Sequence, residues 1–202
     1  MPARRFFLIC FVAALAVPAC NRSAPQDPYA QALTAARAKK DDMLRRAGDS
    51  PVPAVARAVI LPLPYFPPDP AYRVPASLVP DPAARVVEML TSTGKRRQVE
   101  VLGTLRFVLT GQPLKLTAFA EEEPNGQRLF VPFTDATSGG ETYGGGRYLD
   151  LERTATGIYI VDFNTAYNPY CAYNPTYDCP VPPLQNRLPV PIRAGEKAPR
   201  GH

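Results

Sequence analysis

Few residues of this 202-residue chain are equipped for chemistry, and their types narrow what that chemistry is. Its one histidine, His202, ends the chain beside Arg200 and Gly201 with nothing apolar to dock it, and there is no tryptophan. Ser-His-Asp and Cys-His catalysis, histidine zinc sites and axial haem histidines are therefore poor readings. Of the four cysteines, Cys171 and Cys179 end the two copies of a near repeat, Ala166-Tyr167-Asn168-Pro169-Tyr170-Cys171 and Ala172-Tyr173-Asn174-Pro175-Thr176-Tyr177-Asp178-Cys179. Each copy carries an Asn-Pro turn signal followed by an aromatic and a cysteine. In an exported protein the two sulfurs close a short disulfide loop worth roughly 2–3 kcal/mol by chain entropy. Left reduced, they are a nucleophilic or soft-metal thiol pair. No histidine or methionine cluster supports a metal and the spacing is not C-x-x-C, so neither metal nor cofactor is expected.

Charge on apolar elements is the second chemical signal. Asp150 and Asp162 stand in or at the ends of apolar runs, where an unpartnered carboxylate is costly. Glu141, Arg147 and Arg187 are the nearest candidates to answer them. The glycine-rich run 137–147 leads into no Lys-Ser/Thr and no helix, so it is neither a P-loop nor a dinucleotide fingerprint. It reads as an inter-strand loop, or as the flank of a ligand site with Arg147 as anion binder. Two arrangements follow. Either Arg147, Asp150, Asp162, Arg187, Glu141 and Asn164 surround a polar pocket at one end of a barrel, or they form an ion-pair network that pins the 164–187 segment to the sheet.

Proline dictates which elements position these groups. Ten of the 25 prolines fall between Pro51 and Pro82 and eight between Pro169 and Pro199, leaving three in residues 83–168. Proline has no amide to donate and is kept out of central strands, so the middle predicts the sheet and the flanks predict wraps. Val99, Val101, Leu105, Phe107 and Leu109 alternate with polar residues as a half-buried strand, with a bend at Gly103. Turns at Thr110-Gly111-Gln112-Pro113 and Pro124-Asn125-Gly126 lead into strands at 114–120 and 128–133, an antiparallel meander. Further strands are expected at 86–90, 148–151 and 158–163. Ahead of them Asp27-Pro28 starts a helix that Gly48 stops, with Tyr29, Leu33, Ala36, Met43 and Ala47 as its apolar stripe and Lys40 as an interruption. That helix lies loosely on the domain, or its basic residues rest on a membrane surface. The fold class is mainly β, an antiparallel barrel or sandwich of about six to eight strands with one N-terminal helix and proline-rich flanking wraps.

The first residues read as an address. Arg4 and Arg5 precede the apolar run Phe6–Val17, which is too short to span a bilayer, and Ala19 precedes a cysteine. Val17-Pro18-Ala19-Cys20 resembles the lipobox of bacterial lipoproteins, which marks Cys20 for acylation as the mature N-terminus. Arg4-Arg5-Phe6-Phe7-Leu8 also resembles the core of a twin-arginine export signal. Removal of residues 1–19 leaves 21 basic and 18 acidic residues, a net charge of +3 and too mild to argue for nucleic acid. The expected organisation is a signal peptide at 1–19, a lipid-anchored linker at 20–27, a helix at 28–48, one β domain at 49–196 and a disordered tail at 197–202.

Longer motifs carry a family likeness. Tyr65-Phe66-Pro67-Pro68-Asp69-Pro70-Ala71-Tyr72, Leu129-Phe130-Val131-Pro132-Phe133, Thr142-Tyr143-Gly144-Gly145-Gly146-Arg147-Tyr148-Leu149-Asp150, and Asp162-Phe163-Asn164 followed by Asn186-Arg187-Leu188-Pro189-Val190-Pro191-Ile192 resemble the domain-of-unknown-function family numbered 1684. The resemblance runs over about residues 35–196. It implies one domain that includes both proline-rich flanks, and it brings no activity.

The leading functional expectation is an exported, lipid-anchored cell-envelope protein whose β domain binds a small polar or anionic ligand, reaching the membrane through Cys20 and binding no nucleic acid. An envelope hydrolase working through Asp150, Asp162 or Glu141, or a thiol-dependent protein using Cys171 and Cys179, is the alternative. A structural or protein-interaction module with Tyr170 and Tyr177 on its partner surface is the third.

Overall fold

The structure, a computed structural model, describes residues 27–120 and 128–201. The export signal, Cys20 and the expected turn at 124–126 lie outside the described residues. Helix α1 (Pro28–Arg46) begins as the sequence requires, Asp27 accepting a hydrogen bond from the Tyr29 amide with proline at the first helical position. After a short α2 (Arg57–Ile60) come β1 (Arg73–Pro80), β2 (Val86–Leu90), β3 (Arg96–Leu109), β4 (Gln112–Ala120), β5 (Arg128–Phe133), β6 (Arg147–Glu152) and β7 (Ile158–Asp162). They form a seven-stranded antiparallel sheet in the order β6-β5-β4-β3-β1-β7, with β2 pairing to the first half of β3. The sheet curls into a nearly closed barrel with its seam between β6 and β7.

Local chemistry explains the meander. Leu109 pairs with Gln112 across a two-residue loop whose Thr110 and Gly111 both have positive φ, 50° and 79°, the geometry that matches the twist of a hairpin. At Gly103 the register of β3 against β4 slips between Val101 and Gly103. A side chain at Gly103 would meet the Val79 carbonyl oxygen at 2.4 Å and Pro80 Cα at 2.9 Å, so only glycine admits the crossing strand. This bulge reverses which face the alternating residues occupy. Leu105, Phe107 and Leu109 fill the barrel with Leu129, Val131, Phe133, Leu149, Val161 and Phe163. Val99 and Val101 instead join Met89, Phe119 and Phe130 in a second cluster on the outer face.

Strand β1 is the element the proline pattern hides, because it lies in a stretch read as a wrap. It pairs with β3 over residues 76–80 and with β7 over 73–77. Pro75 therefore falls outside the β3 ladder and Pro80 outside the β7 ladder, so each proline sits where only one neighbour is paired. Strands β4 and β5 pair only through Phe119–Phe130 and Ala120–Leu129 before they splay. The buried Asn186 side chain fills the gap: its amide donates to the Thr117 and Pro132 carbonyls at 2.8 Å each, and its oxygen accepts the Thr117 amide at 2.7 Å. One side chain thus replaces a missing length of strand, and it fastens the C-terminal wrap to the sheet.

Helix α1 is docked more firmly than its stripe suggests. Leu33 and Leu44 are buried, while Met43, expected on the stripe, is exposed. Leu44 packs with Val52, Ile60, Leu61, Leu63, Ala172 and Tyr173. Lys40 is an anchor here and not an interruption, its ammonium lying 2.6 Å from the buried Glu196 carboxylate. Arg37 donates to the Phe66 and Asn164 carbonyls, so the helix commits two of its basic residues to the domain and not to a membrane face. Residues 197 and 198 donate their amides to the Pro64 and Glu141 carbonyls and Arg200 donates to the Pro62 carbonyl, so the expected loose tail is held.

Candidate functional site

The six residues singled out as a pocket do not assemble into one. Arg147 is 1% exposed and its guanidinium is spent on Asp135 at 2.9 Å and on the carbonyls of Ile192, Ala194 and Glu196. Glu141 is on the surface, gripped by Arg193 at 2.9 and 3.1 Å. Arg187 is exposed on the wrap. The glycine-rich run is a folded turn closed by Asp135, Thr137 and Thr142, with Thr137 Oγ1 2.6 Å from Asp135 and 2.9 Å from Thr142 Oγ1. The amides of Gly139, Gly140, Thr142 and Gly146 are spent on carbonyls of the same loop.

Asp150 and Asp162 do share a concavity, of about 330 Å³, at the barrel seam together with Arg73 and Glu152. They face outward and not into the barrel, as the apolar interior demands: Asp150 lies on the face of Tyr148, and Asp162 on that of the exposed Ile158 and Ile160. Each is engaged by the protein itself. Asp162 accepts the Tyr29 hydroxyl on both oxygens at 2.9 and 2.8 Å and the Asn164 amide at 3.0 Å. Asp150 accepts the Tyr167 hydroxyl at 2.7 Å. The Asn164 side chain in turn grips Asp69, its amide on the Asp69 carbonyl at 2.8 Å. Tyrosine hydroxyls, and not Glu141, Arg147 or Arg187, thus answer the two carboxylates, and they fasten α1 and the C-terminal wrap to the sheet.

The more chemically open concavity lies on the outer face of β3, β5 and β6, roofed by the tyrosine repeat. It encloses about 280 Å³ and its walls include Phe130, Tyr148, Tyr167, Tyr170, Arg97 and Cys179. The sheet supplies the floor because Phe130 and Tyr148, one residue out of phase with the core residues Val131 and Leu149, project from the opposite face. The two rings meet edge to face at 4.8 Å, and Tyr148 meets Tyr167 likewise at 5.7 Å. The roof is fixed by Tyr148, which exchanges backbone hydrogen bonds with Tyr167 at 2.8 and 3.1 Å and donates its hydroxyl to the Pro180 carbonyl. Burial holds the Tyr148 phenol far above its ordinary range, so it stays a donor. Arg97 carries the one charge among the described lining residues, and Asp178 positions it, accepting from its guanidinium on the backbone carbonyl at 2.9 Å with a carboxylate oxygen 3.6 Å away. Tyr167 and Tyr170 were visible in the sequence as part of the repeat. Arg97, Phe130 and Tyr148 gave no signal, because nothing local distinguishes a strand residue that lines a groove from one that faces water.

The repeat folds back on itself so that its equivalent residues meet. Tyr170 stacks edge-on against Tyr177 at 5.4 Å, and the Cys171 amide donates to Cys179 Sγ at 3.3 Å. Cys171 and Cys179 are two buried free thiols here, not the closed disulfide expected from their spacing. Among the described residues no cluster of three or more metal-ligating side chains occurs, and no helix is long and apolar enough to cross a membrane.

The chain is similar to a family and to a solved structure, neither of which carries a described activity. The family described as Protein of unknown function (DUF1684) matches residues 61–197. The solution NMR structure of an uncharacterized protein of Haloarcula marismortui is similar at a TM-score of 0.66 and 37% identity, covering 86% of this chain and 96% of that one. No match was found among the curated proteins.

Proposed function

From a chain that belongs to the DUF1684 family, we propose a binding protein that holds a small molecule with a flat apolar body and an anionic end in the cavity beneath the tyrosine repeat. The observation that carries this reading is the composition of the walls: aromatic rings on several sides and one guanidinium at the edge. Small-ligand sites combine such an apolar lining with a few placed polar groups. The volume suits a body of one or two fused rings. A carboxylate beside Arg97 gains a charge-assisted hydrogen bond, worth about 1.5–3 kcal/mol.

The test uses 2-naphthoate, with 2-naphthamide as its neutral counterpart. Titration calorimetry and thermal shift are expected to show saturable binding of the acid, weaker binding of the amide, and loss of about tenfold or more in affinity for the acid in Arg97→Gln. Tyr170→Ala, at a residue 45% exposed, is expected to weaken both ligands while leaving the melting point of the empty protein nearly unchanged. Equal binding of acid and amide, or no binding of either, removes this reading.

The same proposal includes the setting. Val17-Pro18-Ala19-Cys20 behind a short apolar run supports export and acylation at Cys20. Helix α1 begins at Pro28, so the domain would sit within about 30 Å of the anchor even with the connecting residues fully extended. Labelled palmitate should enter the protein in a bacterial host and be absent from Cys20→Ser. Labelling that persists in that variant sinks the anchor.

A further inference from the structure

Two neighbouring thiols, with the Cys171 amide 3.3 Å from Cys179 Sγ, stand between two cavities. Cys179 lines the aromatic cavity already described, whereas Cys171 lines a second, of about 350 Å³, bounded by Ile60, Tyr173, Pro175 and Arg200. Both residues are only 9% exposed, and each borders its own cavity. Polar groups reach both of them. The Tyr143 hydroxyl approaches Cys171 Sγ at 3.8 Å, the Cys171 amide points at Cys179 Sγ, and the Cys179 amide donates to Ser92 Oγ at 3.0 Å. A purely structural pair needs no such hydrogen-bonded surround.

We propose that Cys171 and Cys179 are a reversible redox pair that exchanges with small disulfides bearing carboxylates, Cys171 attacking from the Arg200 cavity and Cys179 resolving. The assignment is independent of ligand binding at Arg97. In the first step the Cys171 thiolate attacks one sulfur of the external disulfide. That S–S bond breaks, the outer sulfur leaves as a thiolate that takes up a proton, and a mixed disulfide remains on Cys171. In the second step Cys179 gives up its proton and its sulfur attacks Cys171 Sγ, expelling the second external thiol. Two electrons pass from the dithiol to the external disulfide, giving one internal disulfide and two small thiols. The hydrogen bond from Cys179, aided by those from Tyr143 and Ser92, brings the Cys171 thiol down to about 6 against the opposing effect of burial. Cys179 is held well above its ordinary range, first by its hydrogen bond to Cys171. One thiol is thus lowered and the other raised, the division of labour that attack and resolution require.

The experiment is incubation of the purified, reduced protein with oxidised glutathione, quenched by acid and read by intact mass and peptide mapping. The wild type is expected to lose two hydrogens without retaining glutathione, and reduced glutathione is expected to return it to the dithiol. Cys179→Ser is expected to trap glutathione on Cys171, and Cys171→Ser to react roughly tenfold more slowly or less. The rate of the first step is expected to rise from pH 5 to pH 7 and then level, following ionisation of Cys171. The wild-type measurement stands even if a serine variant fails to fold. Native protein that resists oxidised glutathione while urea-unfolded protein reacts overturns the proposal, as does an internal disulfide that reduced glutathione does not reopen.

Discussion

Arg147→Ala is expected to lower the free energy of unfolding by about 3–5 kcal/mol, the range for stripping one partner from a buried ion pair. Both side chains of the Arg147–Asp135 pair are fully out of solvent. The planar fork reaches four acceptors at once: the Asp135 carboxylate and the carbonyls of Ile192, Ala194 and Glu196. Truncation leaves Asp135 charged and buried, and it releases three carbonyls of a wrap that has no ladder of its own. Asp135 also accepts the Thr137 amide at 2.8 Å and the Ile192 amide at 3.0 Å, so the loss spreads to the turn that opens into β6. Lysine keeps the charge but not the fork, and Arg147→Lys is expected to recover less than half of the loss. Urea denaturation at constant m-value is the measurement. A cost for Arg147→Ala below about 1 kcal/mol, the size of a surface substitution, contradicts this account.

Glu196→Ala is expected to rank beside it, again at about 3–5 kcal/mol. Glu196 is 1% exposed and collects Lys40 from α1, the Tyr173 hydroxyl at 2.7 Å, the Asn168 amide at 2.8 Å and the Tyr65 hydroxyl at 3.3 Å. Those donors come from three separate stretches of chain, so one carboxylate holds the helix, the segment before β1 and the tyrosine repeat to the C-terminal wrap. Burial and the Glu196 charge both push the Tyr65 and Tyr173 phenols up, which keeps them as donors. Removing the carboxylate strands them all. Lys40→Met should cost much less, because Lys40 is 26% exposed and can rehydrate. Less-than-additive losses in Glu196→Ala/Lys40→Met are the expected signature of a direct pair. Full additivity would show that Lys40 and Glu196 do not depend on each other. Because Arg147 also holds the Glu196 carbonyl, Arg147→Ala and Glu196→Ala should combine sub-additively as well.

What the chain spells out by itself is everything that depends on near neighbours. The start of α1 follows from Asp27-Pro28, β3 from alternation, the β3–β4 hairpin from Thr110-Gly111, and β2, β6 and β7 from short apolar runs, because caps, turns and pleats are set by adjacent residues. Alternation says which residues share a face, not which face is inside. Hence Asp150 and Asp162, expected inside the barrel, line a concavity outside it, because the interior is filled. The bulge at Gly103 makes one alternating run serve two cores, which no periodicity can reveal. Strand β1 was hidden because proline forbids a ladder only on the side where an amide is needed, and that side is fixed by the partner strands.

Only the tertiary structure decided the fate of the charged residues. Arg147 in a glycine-rich loop looked available and is the deepest cation of the domain; Lys40 looked like a flaw in a stripe and is an anchor. The candidate site draws on β3, β5, β6 and the tyrosine repeat, from Arg97 to Cys179, so its shape exists only once the wrap crosses the sheet. Cavities and buried ion pairs are made of contacts between residues far apart in the chain, and the free energy that selects them is that of packing and desolvation, which local sequence does not encode.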